Sequence, residues 1–315
     1  MESTLDNSVS HPHAFLYKFK ESKFSQNERR LKYLEEQKIR RQELTDKNRE
    51  LCDLFIKEIE ESREDEEMEL DSTENRRTNR LYFKLMITEW FLDIPEDLEE
   101  NWFVKLVPEG FRILLVARNQ HTFIYNNKGR FLFRIKTNFP GGGNGKENGT
   151  TVLDCVCNKK INTVFILDCL FWNSMSTIDS EASFRFYWLA NKFKENPELG
   201  QFWKYKFVLV EALPAERSLI QDKMFQTMTV ESHSLLYEGI TFYHKESQYT
   251  FGYTPLATWL ASYMLPEKLG IDIPEIYLGK RPQNYVNLQH FVENESLFTK
   301  KRKRKTRTPG EQMEL

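Results

Sequence analysis

The segment RILLVARNQHTFIYNNKGRFLFRI (112–135) decides the fold class. It holds three short apolar runs, RILLVA (112–117), HTFIYN (121–126) and RFLFRI (130–135), with polar separators between them. Asn126-Asn127-Lys128-Gly129 joins two alternating runs. That is a hairpin signal, because Asn and Gly adopt the positive φ angles of a tight strand-reversing turn at little cost. Working outward, WFVKLV (102–107), TTVLDCVC (150–157), NTVFILDCLFW (162–172), FRFYWLA (184–190) and YKFVLV (205–210) read as further runs of this kind. Strand following strand predicts an α+β domain built mainly from antiparallel sheets. The tripeptide LDC, at 153–155 and again at 167–169, reads as two neighbouring core strands. LYFKLMITEWFLDIPEDL (81–98) reads as a helix, or a turn and a helix, ending near Pro95. PGGGNGKENG (140–149) is too rich in glycine for regular structure and reads as a loop. Residues 236–266 and a short helix or coil to about 291 close the domain.

Ahead of this domain the charge is segregated. Residues 11–51 carry 11 Lys/Arg against seven Asp/Glu, and residues 58–71 carry nine acids and one Arg. The stretch KKRKRKTR (300–307) is basic at seven of eight positions. Such blocks mark interaction segments, and they make the net charge of −2 uninformative. From Asn27 to about Lys57 no Pro or Gly interrupts a composition of Glu, Lys, Arg, Gln and Leu, which predicts a helix. Its apolar stripe is thin, so it has little to bury against a core of its own. It is either a solvated surface helix or an arm held by a partner. The expected organisation is a flexible 1–10, a helical arm 11–57, an acidic linker 58–79, a folded domain 80–291 and a disordered basic tail 292–315. The tail reads either as a nuclear-localisation or RNA-binding stretch or as a solvated tail. Cys52, Cys155, Cys157 and Cys169 form no zinc spacing. No apolar run reaches membrane-spanning length. The expectation is a reduced, soluble protein of the nucleus or cytosol, with no cofactor and no membrane partner.

No catalytic motif is present: neither GxSxG, nor GxxxxGK[ST], nor HExxH. The glycine-rich loop has a lysine but no following Ser or Thr to hold magnesium. Asp154 and Asp168 are either a carboxylate pair, should their strands be neighbours, or internally hydrogen-bonded. Aromatic residues remain. Trp90 and Trp259 are either core side chains or platforms for a base, where stacking contributes about 1–3 kcal/mol per base. A base with a fixed positive charge adds a cation–π term of about 0.5–2 kcal/mol.

The segments SQNERRLKYLEEQKIRRQE, LMITEWFLDIPEDLEENW, FPGGGN, TVLDCVCN, FILDCLFWN, SFRFYWLANK and EGITFYHKESQYTFGYTPLATWL resemble the snurportins, import adaptors for capped spliceosomal small nuclear RNPs. The resemblance runs from about His11 to Tyr277. It implies that the arm is an importin-β-binding domain, with Arg29, Arg30, Lys38, Arg40 and Arg41 meeting an acidic receptor surface. It implies that the folded domain binds the 2,2,7-trimethylguanosine cap of U snRNA. That fold is similar to the nucleotidyltransferase domain of mRNA guanylyltransferases and DNA ligases. By the same resemblance Trp259 stacks on the methylated base and Trp90 packs near its N2 methyl groups. Thr88 and the stretch Phe111–Arg112–Ile113 touch the cap, with Arg112 near the triphosphate. A cap-contacting lysine of the family falls on Asn127, with Lys128 beside it. A leucine-rich-signal exportin is implied as the partner for return to the cytoplasm, with Leu5 and Val9 as candidate anchors, so the protein would shuttle between nucleus and cytoplasm. The related fold leaves a covalent nucleotidyltransferase as the alternative, but the KxDG context of its lysine nucleophile is absent. Glu238–Gly239–Ile240 resembles a carboxylate–Gly–apolar motif of that fold. A transport adaptor that binds only protein is a third reading.

Overall fold

A computed structural model describes residues 25–39, 43, 50, 85–143 and 149–293. The expectations for residues 1–10, the acidic linker, Arg40, Arg41 and the basic tail lie outside the described residues.

Helix α1 spans Gln26–Ile39, within the predicted arm. The domain then runs through β1 (Met86–Trp90), the single turn α2 (Leu98–Asn101), β2 (Trp102–Pro108), β3 (Phe111–Arg118), β4 (His121–Asn126) and β5 (Phe131–Ile135). Next come β6 (Thr151–Asn158), β7 (Thr163–Trp172), β8 (Met175–Ser176), helix α3 (Ala182–Glu195), β9 (Gln201–Phe202), β10 (Tyr205–Leu209) and β11 (Leu213–Pro214). It closes with α4 (Arg217–Phe225), the hairpin β12 (Met228–Val230) and β13 (His233–Leu235), β14 (Tyr237–His244), β15 (Gly252–Ala261) and the short helices α5 (Leu265–Leu269) and α6 (Glu275–Leu278). One sheet has the order β1-β15-β14-β2-β11, and the other β5-β4-β3-β6-β7-β10-β9, with β8 paired to β7. Among the named strands of the described residues, β1–β15 and β10–β7 pair in parallel and the rest antiparallel, so the architecture is α+β and mainly antiparallel.

The sheets meet across a shared core in which Met86, Tyr243 and Ala257 pack with Leu114, Val116, Val152 and Phe171. The far side of the five-stranded sheet is covered by α4, α5 and the chain up to Val292. The far side of the eight-stranded sheet carries Phe139, Leu189 and Phe207. The strands of the two LDC tripeptides are neighbours, with Leu153 opposite Cys169 and Asp154 opposite Asp168. The Asn126–Gly129 turn forms as read: Asn126 Oδ1 accepts from the amides of Lys128 and Arg130, each at 2.9 Å, and Gly129 takes φ 75°. The preceding reversal, Asn119–Gln120, has φ 49° and 66° without any glycine, which is why it gave no comparable signal.

Two local readings are corrected. Residues 86–90 form a strand, not a helix: pairing with β15 and the bulky Ile87, Thr88 and Trp90 override the helical tendency of Leu, Met and Glu. FRFYWLA (184–190) lies in α3, not in a strand. Its buried residues Ala182, Arg185, Phe186 and Leu189 fall at helical spacing, a period hidden by the aromatic residues that face outward between them.

Candidate functional site

A small, partly open cleft lies between the two sheets. From the five-stranded sheet it takes Thr88, Val107, Glu238, Thr241, Tyr243 and Trp259. Across from them stand Gly110, Arg112, Val156 and Leu167. Its walls are apolar, its floor is aromatic, and its charged groups are Arg112 and Glu238.

The strand register builds the floor. Trp90 lies opposite Trp259 on β15, Trp259 opposite Thr241 on β14, and Thr241 opposite Lys105 on β2. Residues in register share a face of the sheet, so the two tryptophans come together although they are far apart in sequence. The register slips between Thr88 and Glu89, whose partners are Thr254 and Thr258. Pro255 sits in the slipped segment. It has no amide to give to a ladder, so an irregularity there leaves no buried donor without an acceptor. Trp259 lines the cleft, whereas Trp90 packs edge-on against Phe291 at 5.4 Å. The Thr88 hydroxyl is buried at the cleft and has no hydrogen-bond partner. Burying such a group unsatisfied costs about 1–3 kcal/mol, which a ligand can recover.

Arg112 is fixed before any ligand arrives. Its Nε and Nη2 donate to the two oxygens of Asp154 at 3.0 and 2.6 Å, and the Tyr249 hydroxyl donates to the same carboxylate at 2.8 Å. Burial works to lower the Arg112 pKa, but Asp154 more than reverses this and holds it well above the usual value, so the guanidinium stays charged. Its neighbours on β3 point elsewhere: Ile113 is in the core, and Phe111 packs at the edge of that core beneath Lys159. Asn127 and Lys128 sit on the β4–β5 turn and are not among the residues lining the cleft. The two aspartates resolve toward internal bonding. Asp154 belongs to Arg112, while Asp168 is held by Arg185 at 3.0 and 2.9 Å.

The contributions of Val107, Val156, Leu167, Thr241 and Tyr243 are not readable from single segments, because they depend on which strands pair. Gly239 carries a second hidden requirement. A Cβ there would stand 2.2 Å from the Leu260 carbonyl oxygen and 2.4 Å from the Trp259 ring. Gly239→Ala is therefore expected to displace the indole and the facing Leu260 backbone, lowering ligand affinity about tenfold or more and costing stability as well. Calorimetric titration alongside near-ultraviolet circular dichroism checks this.

On α1, Arg29 and Arg30 turn toward the domain rather than to solvent. Arg29 forms a two-pronged pair with Glu89, and Arg30 is buried. Lys38 meets Glu246 at 3.2 Å on the surface. Among the described residues no cluster of His, Cys, Asp or Glu is suited to a metal ion, and no helix is long and apolar enough to cross a membrane.

Comparison with known families gives two matches: "Snurportin1, m3G cap-binding domain" over residues 84–262 and "Snurportin1" over residues 11–50. Among solved structures the chain is similar to the ligase domain of M. tuberculosis LigD, at 11% identity and a TM-score of 0.40, covering 57% of this chain and 59% of that one. It is also similar to the Chlorella virus DNA ligase–adenylate, at 10% identity and a TM-score of 0.35, covering 55% of this chain and 65% of that one. The chain thus spans less than two thirds of the length of either ligase chain.

Proposed function

The chain belongs to the Snurportin1 family, as an m3G-cap-binding import adaptor, and on that premise we propose that its cleft grips the 2,2,7-trimethylguanosine cap of a U snRNA while its arm engages importin-β. The observation that carries the reading is the joining of Trp259, the unpartnered Thr88 hydroxyl and the pre-positioned Arg112 in one apolar cleft.

The chemistry of the ligand suits that cleft. Methylation at N7 gives the base a positive charge, which strengthens its interaction with an indole. Two methyl groups on N2 remove both exocyclic donors, so this edge lies against Val107, Val156 and Leu167 at no hydrogen-bonding cost. A singly methylated cap keeps both N2 hydrogens and leaves them buried without acceptors, a penalty of about 1–3 kcal/mol. Thr88 supplies a hydroxyl to the polar edge of the base. Asp154 occupies two corners of the Arg112 guanidinium and leaves Nη1 for a phosphate oxygen. In this reading Trp90 backs the floor from beside Trp259. Asn127 and Lys128, on their turn, approach the phosphate chain rather than the base, and Phe111 and Ile113 serve as the frame of Arg112. The cap-binding domain extends to about residue 291, because Tyr277, Tyr285 and Leu288 pack into the same core. Return export by a leucine-rich-signal exportin, and hence shuttling between nucleus and cytoplasm, completes the reading, with Leu5 and Val9 as the contacts.

We place the protein among binding modules rather than nucleotidyltransferases. Among the described residues no lysine lines the cleft. Lys105, on the neighbouring strand, is sealed beneath it: its ammonium donates to the Leu167 carbonyl, lies 3.8 Å over the Phe186 ring and is pushed down to about 8 by burial. The deciding experiment titrates the protein with trimethylated, singly methylated and unmethylated cap dinucleotides, following tryptophan fluorescence. Affinity is expected to fall in that order, and equal affinity for all three would remove the cap reading. A covalent protein–GMP adduct, formed on incubation with labelled GTP and magnesium, would overturn the binding-only assignment.

A further inference from the structure

Helix α1 makes an unusual contact for a segment with so thin an apolar stripe. It docks on the β1–β15 edge of the five-stranded sheet almost wholly through polar groups. Gln26 anchors it: the side-chain amide donates to the Trp90 carbonyl at 2.8 Å, while its oxygen accepts from the Leu92 and Asp93 amides, each at 3.1 Å. The Gln26 amide donates to the Asp93 carboxylate at 2.8 Å. Arg29 reaches both oxygens of Glu89 at 2.6 and 2.7 Å. Arg30 donates to the Pro255 and Asp93 carbonyls at 3.2 and 2.7 Å and lies over the rings of Phe91 and Trp102. Arg30 is 3% exposed and Gln26 also 3%.

We propose that this sheet edge is a docking surface for the protein's own arm, and that α1 latched there competes with the import receptor for Arg29 and Arg30. The proposal rests on the reading of the arm as the importin-β-binding segment. The same guanidinium groups cannot sit on Glu89 and Pro255 and also on an acidic receptor surface. Because a receptor can bind only the released arm, the latch lowers the apparent affinity by the fraction of chains released. The contact is also built to yield. Arg29 Nε and Arg30 Nη2 are buried in the docked state without acceptors, and burial lowers the Arg30 pKa to about 10, a sign that its charge is poorly compensated there. A receptor lined with carboxylates offers what the latch withholds. The outer contact, Lys38 with Glu246, is solvent-exposed and adds little.

The test uses the full chain. The isosteric pair Glu89→Gln and Asp93→Asn removes two carboxylates from the docking surface without changing shape. The double variant is expected to bind importin-β about tenfold more tightly than the parent, since charge-assisted hydrogen bonds to Arg29 and Gln26 are lost only from the latched state. Equal affinities overturn the latch and leave the arm's role as receptor segment standing. No binding by either chain overturns both. A second measurement needs no mutation: amide hydrogen exchange at Asp93, whose N–H the arm holds through Gln26, whereas the Leu92 amide also donates to the Trp90 carbonyl within the domain at 2.9 Å. The Asp93 amide is expected to be protected in the free chain and to lose protection when importin-β is saturating. An unprotected Asp93 amide in the free chain, or protection that importin-β leaves unchanged, would also overturn the proposal.

Discussion

Replacing Trp259 by alanine is expected to weaken binding of a trimethylguanosine cap dinucleotide by about 100-fold. Stacking contributes about 1–3 kcal/mol and the fixed charge of the base a further 0.5–2 kcal/mol or so. Each 1.4 kcal/mol or so is a factor of ten. The alanine variant also loses stability, because Trp259 is 1% exposed and packed in the main core cluster, where deleting so large a side chain costs about 3–5 kcal/mol. Trp259→Phe separates the two effects. It keeps an aromatic face with less area and a weaker quadrupole, so the fold persists while affinity falls about tenfold. The loss for either variant is larger with the trimethylated ligand than with an unmethylated cap, since only the former brings a cationic ring. Isothermal titration at a temperature where both variants retain native circular dichroism gives the numbers. A folded variant with parental affinity would remove Trp259 from the binding role.

Much of the fold was legible because strands announce themselves locally. The runs from Trp102 to Ile135 and from Thr151 to Trp172 became strands close to their predicted limits, and Asn126–Gly129 became the turn between two of them. The misreadings share a cause. Met86–Trp90 is a strand because β15 is there to receive it, a partner some 170 residues downstream that no window contains. The cleft was partly legible. Trp259 and Arg112 stand out by type and by resemblance and Thr88 by resemblance alone, and the facing of the two sheets gathers all three. Thr241 and Tyr243 do not, since a threonine and a tyrosine on a strand acquire meaning only from the strand beside them. The partners of the two aspartates were likewise invisible: Arg112 is 42 residues from Asp154, and Arg185 is 17 from Asp168. The thin apolar stripe of the arm predicts little burial, yet Gln26 and Arg30 are buried, because apolar periodicity does not register docking through hydrogen bonds.

The largest stability effect is expected beneath the cleft. Asp168 and Arg185 are paired with side chains 1% and 0% exposed, and Arg185 also donates to the Ser180 and Ser247 carbonyls at 2.6 and 2.8 Å. Asp168 stands beside Asp154 in the adjacent strand, so one guanidinium stabilises a carboxylate that already faces a like charge. Arg185→Met leaves that carboxylate buried without its guanidinium, the Cys169 amide still donating to it at 2.8 Å, at a cost of about 3–5 kcal/mol. For a domain of this size the melting temperature falls by about 10 °C. Adding Asp168→Leu to the same chain removes the orphaned charge, and most of the loss should return, because a buried ion pair and a well-packed apolar pair of similar volume differ little in net stability. Scanning calorimetry of the single and double variants measures both steps. A single variant melting within 2 °C or so of the parent would mean that water reaches Asp168 and that the pair is dispensable. The experiment also bears on binding. Arg185 lies 5.9 Å over Tyr249, whose hydroxyl holds Asp154, which in turn holds Arg112. If that chain of contacts is what aims Arg112, the double variant, though restored in stability, will still bind the cap more weakly than the parent. The deficit will be confined to ligands that carry the triphosphate and absent from the bare methylated nucleoside.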